Sequence, residues 1–197
     1  LTGSIETKVA LDSWSDACAT LRGFFGGDIC VLENDISTVE NPLSLWQKFS
    51  GEVEKPDIVF GGPPCQAFSQ AGKQKGFQDD RGGMVHEFLR FVEHLYPPFF
   101  VMENVSNLKG IAGGTLYQQI WDKMANLGYN ISVGVLLAAD FGTPQLRRRL
   151  FFLGCRKDIG SIRLPLSTHS PELELFGLLP YVTVAKAFVD LPEAQFS

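Results

Sequence analysis

Residues 57–84 read DIVFGGPPCQAFSQAGKQKGFQDDRGGM. An apolar strand breaks into two glycines, two prolines and Cys65. A polar loop with Lys73, Lys75 and Arg81 follows, and a helical pattern then resumes. Paired prolines stiffen the chain where it leaves a strand, a sensible way to hold one thiol at a fixed place. Strand, loop and helix in that order make one unit of an alternating α/β chain.

The same alternation extends both ways. KVALD is a short buried strand, and SWSDACATLRGFF a helix with Ser13 or Ser15 available as N-cap. ICVLENDIS is a second strand ending in acids, and NPLSLWQKF a helix with Pro42 near its first turn. Downstream, GMVHEFLRFVEHLY places Val85, Phe88, Leu89, Val92 and Leu95 at helical spacing. PFFVMENV is a fourth strand, and TLYQQIWDKMANLG a helix closed by Gly128. ISVGVLLAADFGTPQLRRRLFFLGC reads as two strands joined by a tight Gly/Pro loop, an antiparallel pair. Such a chain builds a mostly parallel sheet covered on both faces. From residue 161 onward the pattern weakens into a connector.

Ligands of such sheets sit beyond the carboxyl ends of the strands. Asp12 ends the first strand and Asp35 the second, Cys65 follows the third and Glu103 ends the fourth, so a thiol and three acids share one rim. Each has a plain alternative. Cys65 is either a small buried hydrophobe in a rigid turn or a thiolate favoured by nearby lysines and a helix N-terminus. Glu103, directly after FFVM, is either a loop cap or a carboxyl that handles a proton. Gln145, Arg147 and Arg149 share one face if the segment is a strand, either as an outer polar face or as a grip on a phosphate or base carbonyl. Asp12 and Asp35 are either solvated loop acids or ribose partners. His86 and His94 fall on the polar side of their helix.

Composition sets outer limits. At 197 residues, 45% hydrophobic and 20% charged, the chain suits one globular domain with a sizeable core. Net charge is −5, concentrated in acids before residue 60, whereas residues 145–157 carry four arginines and a lysine and no acid. A local basic face is the usual partner of backbone phosphates. Four cysteines and three histidines complete no C-x-x-C or zinc pattern, so no metal site is expected. No apolar run reaches bilayer length, and the N-terminus lacks a signal layout, so a cytoplasmic protein is expected. The missing initiator Met and the strand that begins almost at once suit a truncated chain.

Together these residues resemble the cytosine-5 DNA methyltransferase family, over nearly the whole chain. GGPPCQAFSQAGKQKGFQDDRG is similar to the family's catalytic loop, FFVMENV to its glutamate motif, and DFGTPQLRRRLFFLG to its Q-x-R-x-R motif. Glu103 and Arg149 follow Cys65 by 38 and 84 positions, in the family's order. The resemblance implies a Rossmann-like, S-adenosylmethionine-dependent α/β fold whose last strand is antiparallel, incomplete at both ends. Residues 1–160 would be the catalytic lobe, without its first strand and glycine-rich loop, and 161–197 a connector toward a target-recognition region. The missing strand would lie between the one carrying Asp12 and the one leading to Cys65.

It further implies that Cys65 attacks C6 of a cytosine flipped out of duplex DNA. Glu103 would act at N3, and Arg149 would hold O2, with Arg147 and Gln145 supporting. Asp12, Asp35, Ile36, Pro64 and Met84 would bind S-adenosylmethionine, with Trp14 near the adenine-stacking position. Gln66, Ser69, Lys73, Lys75 and Arg81 would face DNA. The expected function is C5 methylation in a restriction–modification system, with target recognition on a missing segment or a second subunit. An RNA cytosine methyltransferase of the same fold, a catalytically silent DNA-binding relative and a cysteine–histidine hydrolase are the competing readings.

Overall fold

The structure, a computed structural model, describes residues 5–64, 83–172 and 177–190. Cys65, Gln66, Ser69, Lys73, Lys75 and Arg81 therefore lie outside the described residues.

Elements alternate as the periodicities predict. β1 (Val9–Asp12) leads to α1 (Ser15–Phe25), β2 (Cys30–Glu33) and, after a 3-10 turn at Ile36–Thr38, to α2 (Pro42–Ser50). Then come β3 (Ile58–Gly61), α3 (Gly83–Leu95), β4 (Phe99–Val105) and α4 (Thr115–Asn126). β5 (Tyr129–Leu137) and β6 (Arg148–Arg156) form an antiparallel hairpin. Two short strands, β7 (His169–Ser170) and β8 (Leu179–Pro180), and a single turn, α5 (Val184–Ala187), are the last elements among the described residues. No helix among the described residues is long and apolar enough to cross a membrane.

Three local expectations are corrected. Neither Ser13 nor Ser15 caps α1: the N-cap is Trp14, whose backbone N–H donates to Asp12 Oδ1 at 2.8 Å. Gly128 lies one residue past the C-cap of α4, Leu127, with φ +90°. Gln145 and Arg147 precede β6, because the Gln145 N–H bonds back to the Thr143 carbonyl and pairing begins only at Arg148 opposite Leu137.

The sheet is divided between β1 and β3, where the resemblance sets a missing strand. β1 and β2 pair in parallel, while a separate four-stranded sheet runs β3-β4-β6-β5 with β3 and β4 parallel and β6 antiparallel to both neighbours. The core lies on the second sheet, under α3 and α4. Val85, Phe88, Leu89, Val92 and Leu95 are all buried, as their spacing predicts. Gly154 lets β4 and β6 close, since a Cβ there would sit 2.0 Å from the ring of its cross-strand partner Phe100. α3 also reaches the first sheet, because Arg90 Nη2 donates to the Ile36 carbonyl at 3.1 Å while held by Glu87.

Between the facing edges of β1 and β3 lies a cavity of about 560 Å³, lined by residues of both strands and floored by Phe88, Phe91 and Leu95. Phe60 on β3 is 64% exposed there, out of keeping with an interior strand of an α/β sheet.

Candidate active site

Two regions of chemistry meet at the carboxyl ends of β1, β3 and β4. The first is the pair Glu103–Arg149. Glu103 lies two residues before the end of β4, which runs on to Val105, and stands diagonally across from Arg149, the partner of Val105 in the antiparallel register. Arg149 Nε meets Glu103 Oε1 at 2.7 Å, and Arg149 Nη1 donates to the Arg148 carbonyl. The Glu103 side chain is about one-third exposed and paired. Its other oxygen, Oε2, hangs over Gly62, where a Cβ would approach it to 3.1 Å. The acid therefore points at the chain that leads into Cys65.

Asn104, the next residue, is 3% exposed and fully used. Its Nδ2 donates to the Pro63 carbonyl at 3.0 Å, and its Oδ1 accepts the Val105 N–H at 2.9 Å. A buried amide at a strand end is costly unless both halves are paired. Here the pairing fixes the two residues before Cys65 against the strand that carries Glu103. Spacing alone could not assign Asn104 this role, although its polarity after FFVM is the usable signal.

The second region is the cavity between β1 and β3. Asp12, Asp35, Ile36, Pro64 and Met84 all line it. Ser37 bonds Asp35 Oδ1 through both its hydroxyl and its N–H, which holds the carboxyl below its usual range. The bonds to Asp12 and Asp35 fall on Oδ1, leaving Oδ2 of each for an incoming hydroxyl. Two carboxylates at the mouth of a largely apolar slot suit a ligand with ribose hydroxyls and a flat base, so the donor set fits S-adenosylmethionine. Trp14 does not share in this, being 65% exposed and outside the lining. Arg90, which the sequence left unmarked, anchors the Asp35–Ile36 turn from a distance of 54 residues along the chain.

Gln145, Leu146 and Arg147 are exposed on the turn into β6, and Arg148 at its first position, so only Arg149 of the three predicted residues reaches Glu103. His86 and His94 are exposed on α3, while His169 packs against the β5–β6 turn. Among the described residues no group of three histidines, cysteines or acids converges to hold a metal ion.

An α/β sheet with an antiparallel last strand, a Glu–Arg pair and an acid-rimmed slot defines the methyltransferase class. The comparisons agree. The model of the C-5 cytosine-specific DNA methylase family matches residues 2–195, and the chain belongs to that family. It is 39% identical over 205 residues to the Type II methyltransferase M.AquIA of Picosynechococcus, covering 96% of this chain and 81% of that protein. It is 43% identical over 155 residues to the Type II methyltransferase M1.HphI of Haemophilus parahaemolyticus, covering 78% of this chain but 40% of that one. Among solved structures it resembles a prophage-encoded E. coli protein described as a DNA modification methyltransferase, with TM-score 0.76 and 26% identity. That match covers 97% of this chain and half of the other.

Proposed function

We propose that the protein transfers a methyl group from S-adenosylmethionine to C5 of a cytosine flipped out of duplex DNA, as the modification enzyme of a Type II restriction–modification system. The supporting observation is the convergence at one rim. Glu103, its partner Arg149 and the Gly62–Pro64 approach to Cys65 adjoin a slot lined by all five residues expected to bind the cofactor.

When bound, the cofactor supplies an electrophilic methyl carbon. The chain's own groups do the rest. Asp12 and Asp35 take ribose hydroxyls through their remaining oxygens. Cys65 adds as thiolate to C6 of the base, which moves electron density to C5; once C5 carries the methyl group, loss of the C5 proton to a base breaks the C6–S bond and frees the thiolate. Glu103 hydrogen-bonds N3 and relieves the charge that builds on the ring. Arg149, with Nε on Glu103 and Nη1 on the Arg148 carbonyl, would hold O2 of the base through Nη2. Gln66, Ser69, Lys73, Lys75 and Arg81 hold the DNA backbone, with Gln145 and Arg147 at the edge of the same site. Target recognition comes from sequence outside 1–197 or from a second subunit. Residues 1–160 act as the catalytic lobe.

The test is methyl transfer from tritiated cofactor by the full-length protein, with any partner subunit, to duplex DNA and to RNA. Label in cytosine C5 of DNA is expected. Label in RNA alone would favour the RNA methyltransferase reading, and none in either the silent relative.

A further inference from the structure

The residues after β6 do more than lead away from the sheet. Ser132 Oγ and Asn130 Nδ2 on β5 each donate at 2.6 Å to carbonyls of this segment, those of Ile162 and Gly160. Leu164 packs over Gly134, where a Cβ would clash with its Cδ1 at 2.3 Å. The chain thus climbs along β5 and arrives at the turn that feeds β6.

There it closes over Asp140. The Thr168 N–H donates to the Asp140 carbonyl at 2.9 Å, and the Tyr181 hydroxyl donates to Asp140 Oδ1 at 2.5 Å. Between them β7 and β8 pair, so one acid binds both ends of the little sheet. His169 lies flat against Gly142, which has φ +83° and would bring a Cβ within 2.8 Å of the imidazole. Glycine is needed at that position on both counts. Within the turn, the Ala138 N–H donates to the Arg147 carbonyl, two residues before Arg149.

We propose that Tyr181 is a positioning residue for the methyl-transfer site: through Asp140 it latches the 138–147 turn and so fixes where Arg149 meets Glu103. Arg149 is registered between Val105 and Leu136 in the ladder, but residues 145–147 just before it are exposed and, among the described residues, tied only by the Gln145 and Arg147 backbone bonds. A side chain 32 positions beyond Arg149 adds a constraint on the turn that leads into it. The latch rests on the methyltransferase reading for its consequence, though not for its geometry.

In the full-length protein, with any partner subunit, Tyr181→Phe removes the donor and keeps the ring. Single-turnover methyl transfer should slow about tenfold, as small displacements of a positioned group do, with cofactor affinity unchanged. Asp140→Leu should match it, and the double variant should be no slower than either single. Asp140→Asn, which retains an acceptor oxygen, should restore most of the rate. Hydrogen exchange should quicken at the Ala138 and Gly142 amides in Tyr181→Phe and stay unchanged in α3. Wild-type rates in both Tyr181→Phe and Asp140→Leu would overturn the proposal, as would loss of cofactor binding along with activity. If wild type transfers no methyl group, the functional reading fails; unchanged exchange at Ala138 would then still overturn the latch, and faster exchange would support it.

Discussion

Arg149 and Glu103 stand diagonally across the β4–β6 pair and meet as an ion pair at 2.7 Å, so the two side chains proposed to face the base are also each other's support. Neither can be removed without disturbing the other. Glu103→Gln is expected to slow single-turnover transfer by about 10²–10⁴-fold, and Arg149→Ala by about 10²–10³-fold. Because they act as a unit, the double variant should fall well short of the product of the two losses. Multiplicative losses would mean that the residues act separately.

Asn104 predicts a stability effect. Asn104→Leu leaves the Pro63 carbonyl and the Val105 N–H without the partners they have now. Pro63 is half-buried and Val105 exposed, so each group so abandoned costs at the low end of the range, about 1 kcal/mol. Denaturant unfolding should reveal that loss, and labelling of Cys65 by a thiol reagent should change as its lead-in loosens. Wild-type stability would show that Asn104 is dispensable.

Arg90→Met keeps the apolar stem of the side chain and removes the bond to the Ile36 carbonyl. Cofactor affinity should fall about tenfold, the worth of one hydrogen bond from a charged donor. The Glu103-dependent chemical step should be unaffected once cofactor saturates. A change in that step with normal affinity would contradict the assignment of the Asp35–Ile36 turn to the cofactor.

How far the sequence reaches can be judged element by element. The 3.6-residue period of α3 located its buried face, because burial and periodicity are the same fact seen twice. The hairpin of β5 and β6 was legible from its Gly/Pro turn. Strand alternation misplaced Gln145 and Arg147, since a local backbone bond at Gln145 overrides it before the ladder with β5 begins. Arg90 and Tyr181 escaped notice because each acts on a residue tens of positions away. The divided sheet depends on which strands find neighbours. No local pattern encodes that, and it came only as an implication of the family resemblance.

The division itself is open to experiment. We attribute the inner part of the slot, between the edges of β1 and β3 over Phe88 and Leu95, to an additional strand from outside the described residues, and its mouth at Asp12, Asp35 and Pro64 to the cofactor. Unpaired buried backbone groups cost about 1–3 kcal/mol each, against a total of about 5–15 kcal/mol for a domain. Residues 1–197 alone should exchange amide hydrogens quickly in β1 and β3 and bind cofactor weakly. Fusion of a strand-forming, glycine-rich segment ahead of them should restore both. A cooperative melt with micromolar cofactor affinity from residues 1–197 alone would contradict this.

The most direct test of the catalytic account is covalent capture. Duplex DNA carrying 5-fluorocytosine at the target cytosine should trap the full-length protein in the presence of S-adenosylmethionine, because fluorine at C5 cannot leave as a proton does. The adduct should survive denaturation, map to Cys65 and vanish in Cys65→Ser, while that variant still binds cofactor. An adduct that persists in Cys65→Ser, or active methylation of normal DNA by that variant, would contradict nucleophilic attack by Cys65.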